Sequence, residues 1–258
     1  MKLKQLSALT LAASTIIASP AMAWESADGQ HATSASVALS TDYMWRGASQ
    51  TDNEAALSGS FDYNHASGLY AGVWASNVDI DGRNGQSTVD IEIDGYFGFA
   101  NEIQDTGIGY DVGFMRYFFP GEDHRLDWNE VYLGLSYSYF SVKISHSADA
   151  AAQGEDATHY LFGANYDLPM GVELHANYAI YDFDDVRKTN GLAANVVGID
   201  NTLEDWNIGV TKDFVGFTFD LTYYDTLNDA EELGRALNNG NDDSRLDDRV
   251  VFTISKSL

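Results

Sequence analysis

The chain of 258 residues carries 14 Lys+Arg against 39 Asp+Glu, a formal charge of −25, which disfavours nucleic acid and anionic lipid as partners. It has no cysteine, so no disulfide framework holds it, and its 3 prolines, 23 glycines and 15 tyrosines favour β-structure over helix. No stretch after the leader approaches eighteen consecutive apolar residues, so any passage through a bilayer must be made by strands.

Residues 1–23 open with Lys2 and Lys4, continue through a short Leu/Ala/Ile run and close on Ala21-Met22-Ala23. This is the layout of a secretory signal peptide with a small-x-small cleavage site, which makes Trp24 the expected first residue of the mature chain. From about residue 32 onward, apolar and polar residues alternate in runs of roughly ten. The first run places Val37, Leu39, Thr41, Tyr43 and Trp45 on one face and Ser36, Ala38, Ser40, Asp42 and Arg46 on the other. The pattern predicts about twelve strands, near 33–46, 54–64, 69–78, 88–99, 108–118, 128–138, 140–148, 157–167, 172–182, 204–212, 216–225 and 248–258. Each has about the length a tilted strand needs to cross a membrane.

The links alternate in length. Tight ones fall at His65-Ala66-Ser67-Gly68, Tyr139-Phe140, Leu168-Pro169-Met170-Gly171 and Asp213-Phe214-Val215, and long polar ones near 183–203 and 226–247. Residues 230–237 could form a helical turn or two within the last long link. This is the layout of an all-β, transmembrane, antiparallel up-and-down β-barrel of a bacterial outer membrane, with residues 24–258 as one barrel and short turns in the periplasm. A water-soluble β-sandwich would also alternate, but it explains neither the paired link lengths nor the Tyr and Trp near strand ends. The terminal run Val250 to Leu258 alternates to its end, as a closing strand must, although Leu258 stands where an aromatic is more usual.

Asp90, Glu92 and Asp94 alternate with Val89, Ile91 and Ile93, and carboxylates at every second position cannot face lipid. Carrying this parity through the chain gives a predicted pore lining of Asp42, Arg46, Asp62, Asp90, Glu92, Asp94, Asp111, Glu130, Lys143, Asp167, Glu173, Asp205, Asp220 and Arg249. The acids predominate, and a dry interior would leave most of them unpaired, so water or cations are expected to reach them. Inward Tyr96, Tyr132, Tyr181 and Tyr224 either narrow this lumen or pack it. Arg116 falls on the lipid face by strict counting, which predicts a bulge or a rim position.

The stretch Ser40-Thr41-Asp42-Tyr43-Met44-Trp45-Arg46-Gly47-Ala48-Ser49-Gln50-Thr51 is more specific than a strand pattern. It resembles the hallmark of the TorF-type porin family of proteobacterial outer-membrane proteins. Residues 59–78 and the closing Asp248-Arg249-Val250-Val251-Phe252 extend the resemblance over essentially the whole mature chain. The resemblance implies an outer-membrane barrel and brings no substrate and no catalytic residue.

The expected function is passive diffusion of ions or small polar solutes through an acidic, cation-favouring channel. The alternative is a non-conducting surface or envelope-stabilising protein whose long loops bind a partner. Expected partners are outer-membrane lipid, lipopolysaccharide, the permeant solutes and, during insertion, the barrel-assembly machinery. No nucleic acid, cofactor or resident metal is expected. The loop Asp79 to Gly85 resembles a calcium loop only briefly, because Arg83 occupies a ligand position. A lipase site would need a serine and a histidine on one outward face, but His146 is followed on its face by Ala148, while Ser145 and Ser147 point the other way. Inward His159 and His175, with Glu173, are the remaining acid–base candidates.

Overall fold

The computed structural model describes residues 22–81, 88–121, 126–150, 154–184, 201–227 and 244–258. Among these residues the chain forms twelve long strands: β1 (His31–Ser40), β2 (Ala56–His65), β3 (Leu69–Asp81), β4 (Thr88–Ile103), β5 (Ile108–Phe118), β6 (Trp128–Tyr137), β7 (Phe140–Ser147), β8 (Ala157–Leu168), β9 (Val172–Phe183), β10 (Thr202–Phe214), β11 (Phe217–Leu227) and β12 (Arg249–Ser257). Each pairs antiparallel with its neighbour in sequence, and β12 returns to β1 from Thr253↔Ser40 to Ser257↔Ser36. The sheet is therefore a closed up-and-down barrel.

Closure is thinnest at that seam. Where β12 ends, residues Met22–Glu25 continue along the same edge of β1, pairing Glu25 with Ala32 and Trp24 with Thr33. The backbone groups that β12 cannot reach are thus met by the N-terminal segment, as a lipid environment requires.

The turns at one end are short. Phe214 faces Phe217 across Val215 (φ 53°) and Gly216 (φ 77°), a two-residue turn with both central residues left-handed, the conformation that matches strand twist. The connections at the other end are long, as the link lengths predict. The suggested helical segment at 230–237, most of the acidic loop from Asp79 to Gly85 and most of the two longest links lie outside the described residues.

Strand β6 shows what solvates each face. Trp128, Glu130 and Tyr132 are buried, while Val131, Leu133 and Leu135 are exposed in strict alternation. Exposed aliphatics and buried carboxylates invert the arrangement of a water-soluble domain, so lipid is the outer solvent and the barrel spans a membrane. At the short-turn end, exposed Tyr139 and Tyr166 pair at 5.2 Å, in the place of an interfacial aromatic belt. For a bacterial protein of this architecture the membrane is the outer membrane.

Two expectations are corrected. Strand β1 stops at Ser40 rather than near residue 46, so Tyr43 and Trp45 do not face lipid. The β3–β4 register shifts between Asn77 and Ile80, an irregularity that puts two residues of β3 opposite one of β4, and the alternation of β4 breaks there, with Asp90 and Ile91 both exposed. Above the bulge it is Val78 and Val89 that are buried, and Asp90, inward by simple counting, is exposed. Arg116 needs no bulge: its pairing is continuous, and it sits at the polar rim, donating to Asp127 at 2.8 Å and to Asn129 at 3.1 Å.

Candidate pore constriction

Beyond Ser40 the chain turns into the barrel. Residues Met44–Trp45 and Ala48–Ser49 form a miniature hairpin whose turn is Arg46 (φ 49°) and Gly47 (φ 79°). Gly47 is required here for space as well as for φ, since a Cβ would lie 2.8 Å from Asp205 Cβ and from Thr226 Cγ2. Asp42 ties the base of the hairpin together, accepting from Ser49 Oγ at 2.7 Å and Thr51 Oγ1 at 2.8 Å, with Arg249 Nη1 at 2.7 Å on its other oxygen. The β3 bulge adds a main-chain anchor, with Asp79 N–H donating to the Gln50 carbonyl at 2.7 Å.

This loop meets the wall on nearly every side. Tyr43 packs edge-on against Trp74 of β3 at 5.2 Å. Trp45 meets Tyr117 of β5 at 6.1 Å, Trp128 of β6 at 5.7 Å and Tyr181 of β9 at 6.2 Å. Gly47 abuts β10 and β11, Met44 packs with Tyr224 and Val251, and Asp42 pairs with Arg249 of β12. A segment that touches strands all around the bore spans it, so residues 41–55 constrict the lumen at its long-loop end.

Arg46 is the centre of that constriction. Its guanidinium pairs with Glu130, and lies 4.3 Å from the ring centroids of both Trp45 and Tyr181. Glu130 also accepts from Tyr117 Oη at 3.1 Å. Lys143 lies 4.4 Å from the centre of the Tyr132 ring. Of the other residues proposed from sequence, Asp42, Glu92, Asp94, Asp111, Asp205 and Asp220 are buried, Asp62, Glu173 and Arg249 are half-buried, and Asp167 is exposed at the short-turn end. Within this set the fold brings together Arg46 with Glu130, and Asp42 with Arg249. Asp220 lies deeper, bonded by Thr211 at 2.8 Å and Thr222 at 2.6 Å.

Sequence parity does not reveal how the inward tyrosines lie. A Cβ on Gly72 would meet the Tyr96 ring at 2.6 Å, and Gly98 and Gly113 are covered in the same way by Tyr70 and Tyr132. These rings lie along the wall, and their hydroxyls reach carboxylates: Tyr96 donates to Asp62, and Tyr70 to Asp111 at 2.6 Å. Tyr181 and Tyr224 instead pack against the inward loop.

Several buried polar atoms have no protein partner, among them Trp45 Nε1, Arg46 Nε, Asp94 Oδ1, Asp205 Oδ2 and His159 Nε2. All belong to inward-facing residues near the constriction. His159 and His175 are not brought together: His159 pairs across β8–β9 with Tyr181, whereas His175 pairs with Asn165 and bonds Thr222 at 3.0 Å. His146 is exposed and bonded to Thr158 at 3.1 Å. Among the described residues no three His, Cys, Asp or Glu are arranged to hold a metal ion.

The profile of the family described as "Bacterial protein of unknown function (Gcw_chp)" matches residues 24–258. The chain belongs to the Gcw_chp family. A comparison with curated proteins finds no match. Among solved structures the Gcw_chp chain is similar to the NanC porin, with a TM-score of 0.52 at 10% identity, covering 86% of this chain and 97% of that one. A KdgM porin in complex with disordered oligogalacturonate aligns at a TM-score of 0.49 and 5% identity, over 87% and 98% of the two chains. The outer membrane channel DcaP of Acinetobacter baumannii aligns at 0.42 and 11%, over 92% and 78%. The NanC likeness bears on fold alone, and it matches the closed twelve-strand barrel described above.

Proposed function

We propose that this Gcw_chp barrel is a hydrated channel that passes ions and small polar solutes, cations in preference, between the inward loop and the wall. The observation that carries the reading is the set of buried polar atoms left unmet by protein around residues 45, 46, 94, 159 and 205. Each would cost about 1–3 kcal/mol in a dry interior, so water must enter the barrel at the constriction. The excess of inward carboxylates supports cation preference, because low-dielectric walls focus the field of fixed charges on whatever enters. The TorF-type resemblance of residues 40–51 belongs to the same reading, as do removal of residues 1–23 as a signal peptide and contact with lipopolysaccharide and the barrel-assembly machinery. No catalytic step is assigned.

Reversal potential across a planar bilayer under a salt gradient tests the preference. The expected sign is that of a cation-selective path, and an anion-selective or unselective current would sink it. One observation favours a second reading: the loop touches the wall all around the bore, as a closed anchor protein would have it. That reading predicts no current at all.

A further inference from the structure

The buried interior is short of positive charge. Among the described residues seven carboxylates, Asp42, Glu92, Asp94, Asp111, Glu130, Asp205 and Asp220, are at least nine-tenths buried, against one arginine and one lysine, Arg46 and Lys143. Arg46 is held by Glu130, and the half-buried Arg249 by Asp42. Lys143 lies over Tyr132, with Glu130 and Asp111 as the acids that face it. Glu92 and Asp94, 3% and 6% exposed, stand two residues apart on the inner face of β4, where each carries the other's charge as a near neighbour. Tyr43 of the inward loop lies close enough to both acids to feel their charge, and Asp94 Oδ1 has no partner. Among the described residues no basic side chain forms an ion pair with either acid. Two such carboxylates cannot both stay charged in a low-dielectric site without a counter-ion or a shared proton.

We propose that the Glu92–Asp94 pair, covered by Tyr43, binds a monovalent inorganic cation, potassium or sodium, beneath the inward loop. Two carboxylates and a phenol fall short of the six to eight oxygens that calcium takes. They suit a weakly held ion that exchanges with solution. The proposal rests on the hydrated-interior reading, but its test does not depend on current.

The test is thermal unfolding of the refolded barrel in detergent, compared in potassium chloride and in choline chloride at equal ionic strength. Choline is too large for the pair, so only potassium should stabilise the fold. At a concentration about five times the dissociation constant, the expected rise is roughly 2–4 °C. The doubly substituted Glu92→Gln/Asp94→Asn protein should lose that difference, and Asp90→Asn, on the same strand but exposed, should keep it. Equal unfolding temperatures in the two salts for the unsubstituted protein would mean that the acids share a proton and would overturn the proposal. Persistence of the difference in the double variant would overturn it as well. Failure of the channel reading would show separately, as absent current from a barrel that still responds to potassium.

Discussion

Replacing Arg46 by methionine removes the charge at the centre of the constriction while keeping much of its aliphatic volume. The side chain is 4% exposed, as is that of its partner Glu130, so water can make good only part of the lost interaction. Removing one member of a buried pair strands the other, which typically costs about 3–5 kcal/mol. Here Glu130 would keep the Tyr117 hydroxyl and the charge of Lys143 that faces it, and the contacts of the guanidinium with the Trp45 and Tyr181 rings would go with the charge. A double-mutant cycle with Glu130→Gln isolates the pair. Urea unfolding in lipid vesicles, followed by tryptophan fluorescence, should show Arg46→Met destabilised by about 3 kcal/mol or more. The double variant should be less destabilised than the sum of the singles, by about 2–3 kcal/mol. If Arg46→Met stays within about 0.5 kcal/mol of the parent, as a surface substitution would, or if the cycle is additive, the inward placement of the loop is wrong.

Three further outcomes follow from particular contacts. Gly72→Val should push the Tyr96 ring off the wall and break its bond to Asp62, destabilising the barrel by about 1–3 kcal/mol in the same assay. Gly95→Ala, whose Cβ would meet nothing within 4 Å, should be far milder. Arg249→Gln should release Asp42 and Asn53 and loosen the loop. In this cysteine-free chain that is read as faster thiol labelling of a single Ala48→Cys, and an unchanged rate would count against the latch. Finally, Asp94→Asn should weaken cation preference in the bilayer while Asp90→Asn leaves it alone, and the reverse order would contradict the phase shift at the β3 bulge.

The barrel was legible because strand alternation is a property of each segment by itself. β5 runs over the same residues, 108–118, in sequence and in structure, and most other strands differ by one or two at an end. The inward loop was not legible, because Thr41, Tyr43 and Trp45 prolong the alternation of β1 past Ser40 and no local pattern separates a longer strand from a segment that folds inside. The available signals were the turn-forming pairs Arg46-Gly47 and Asp52-Asn53, which adopt positive φ. Asp90 failed for a different reason. Along β3 the buried positions Trp74, Ser76 and Val78 keep one parity, whereas along β4 Asp90 and Ile91 are both exposed and Val89 is buried, so the alternation breaks within β4 where the register shifts, and period-two counting has no means of registering that break. The acids for which parity and burial agree, from Glu92 and Asp94 through Glu130 to Asp205 and Asp220, lie on regularly paired stretches.

The most direct test is single-channel current through the refolded barrel, intact and with residues 42–52 replaced by a short glycine-rich turn. The expected result is a small cation-favouring conductance in the intact protein and a larger one once the loop is gone, because the loop is what narrows a hydrated bore. Absence of current from both proteins, each shown to be folded, would contradict it and leave the barrel as a closed anchor.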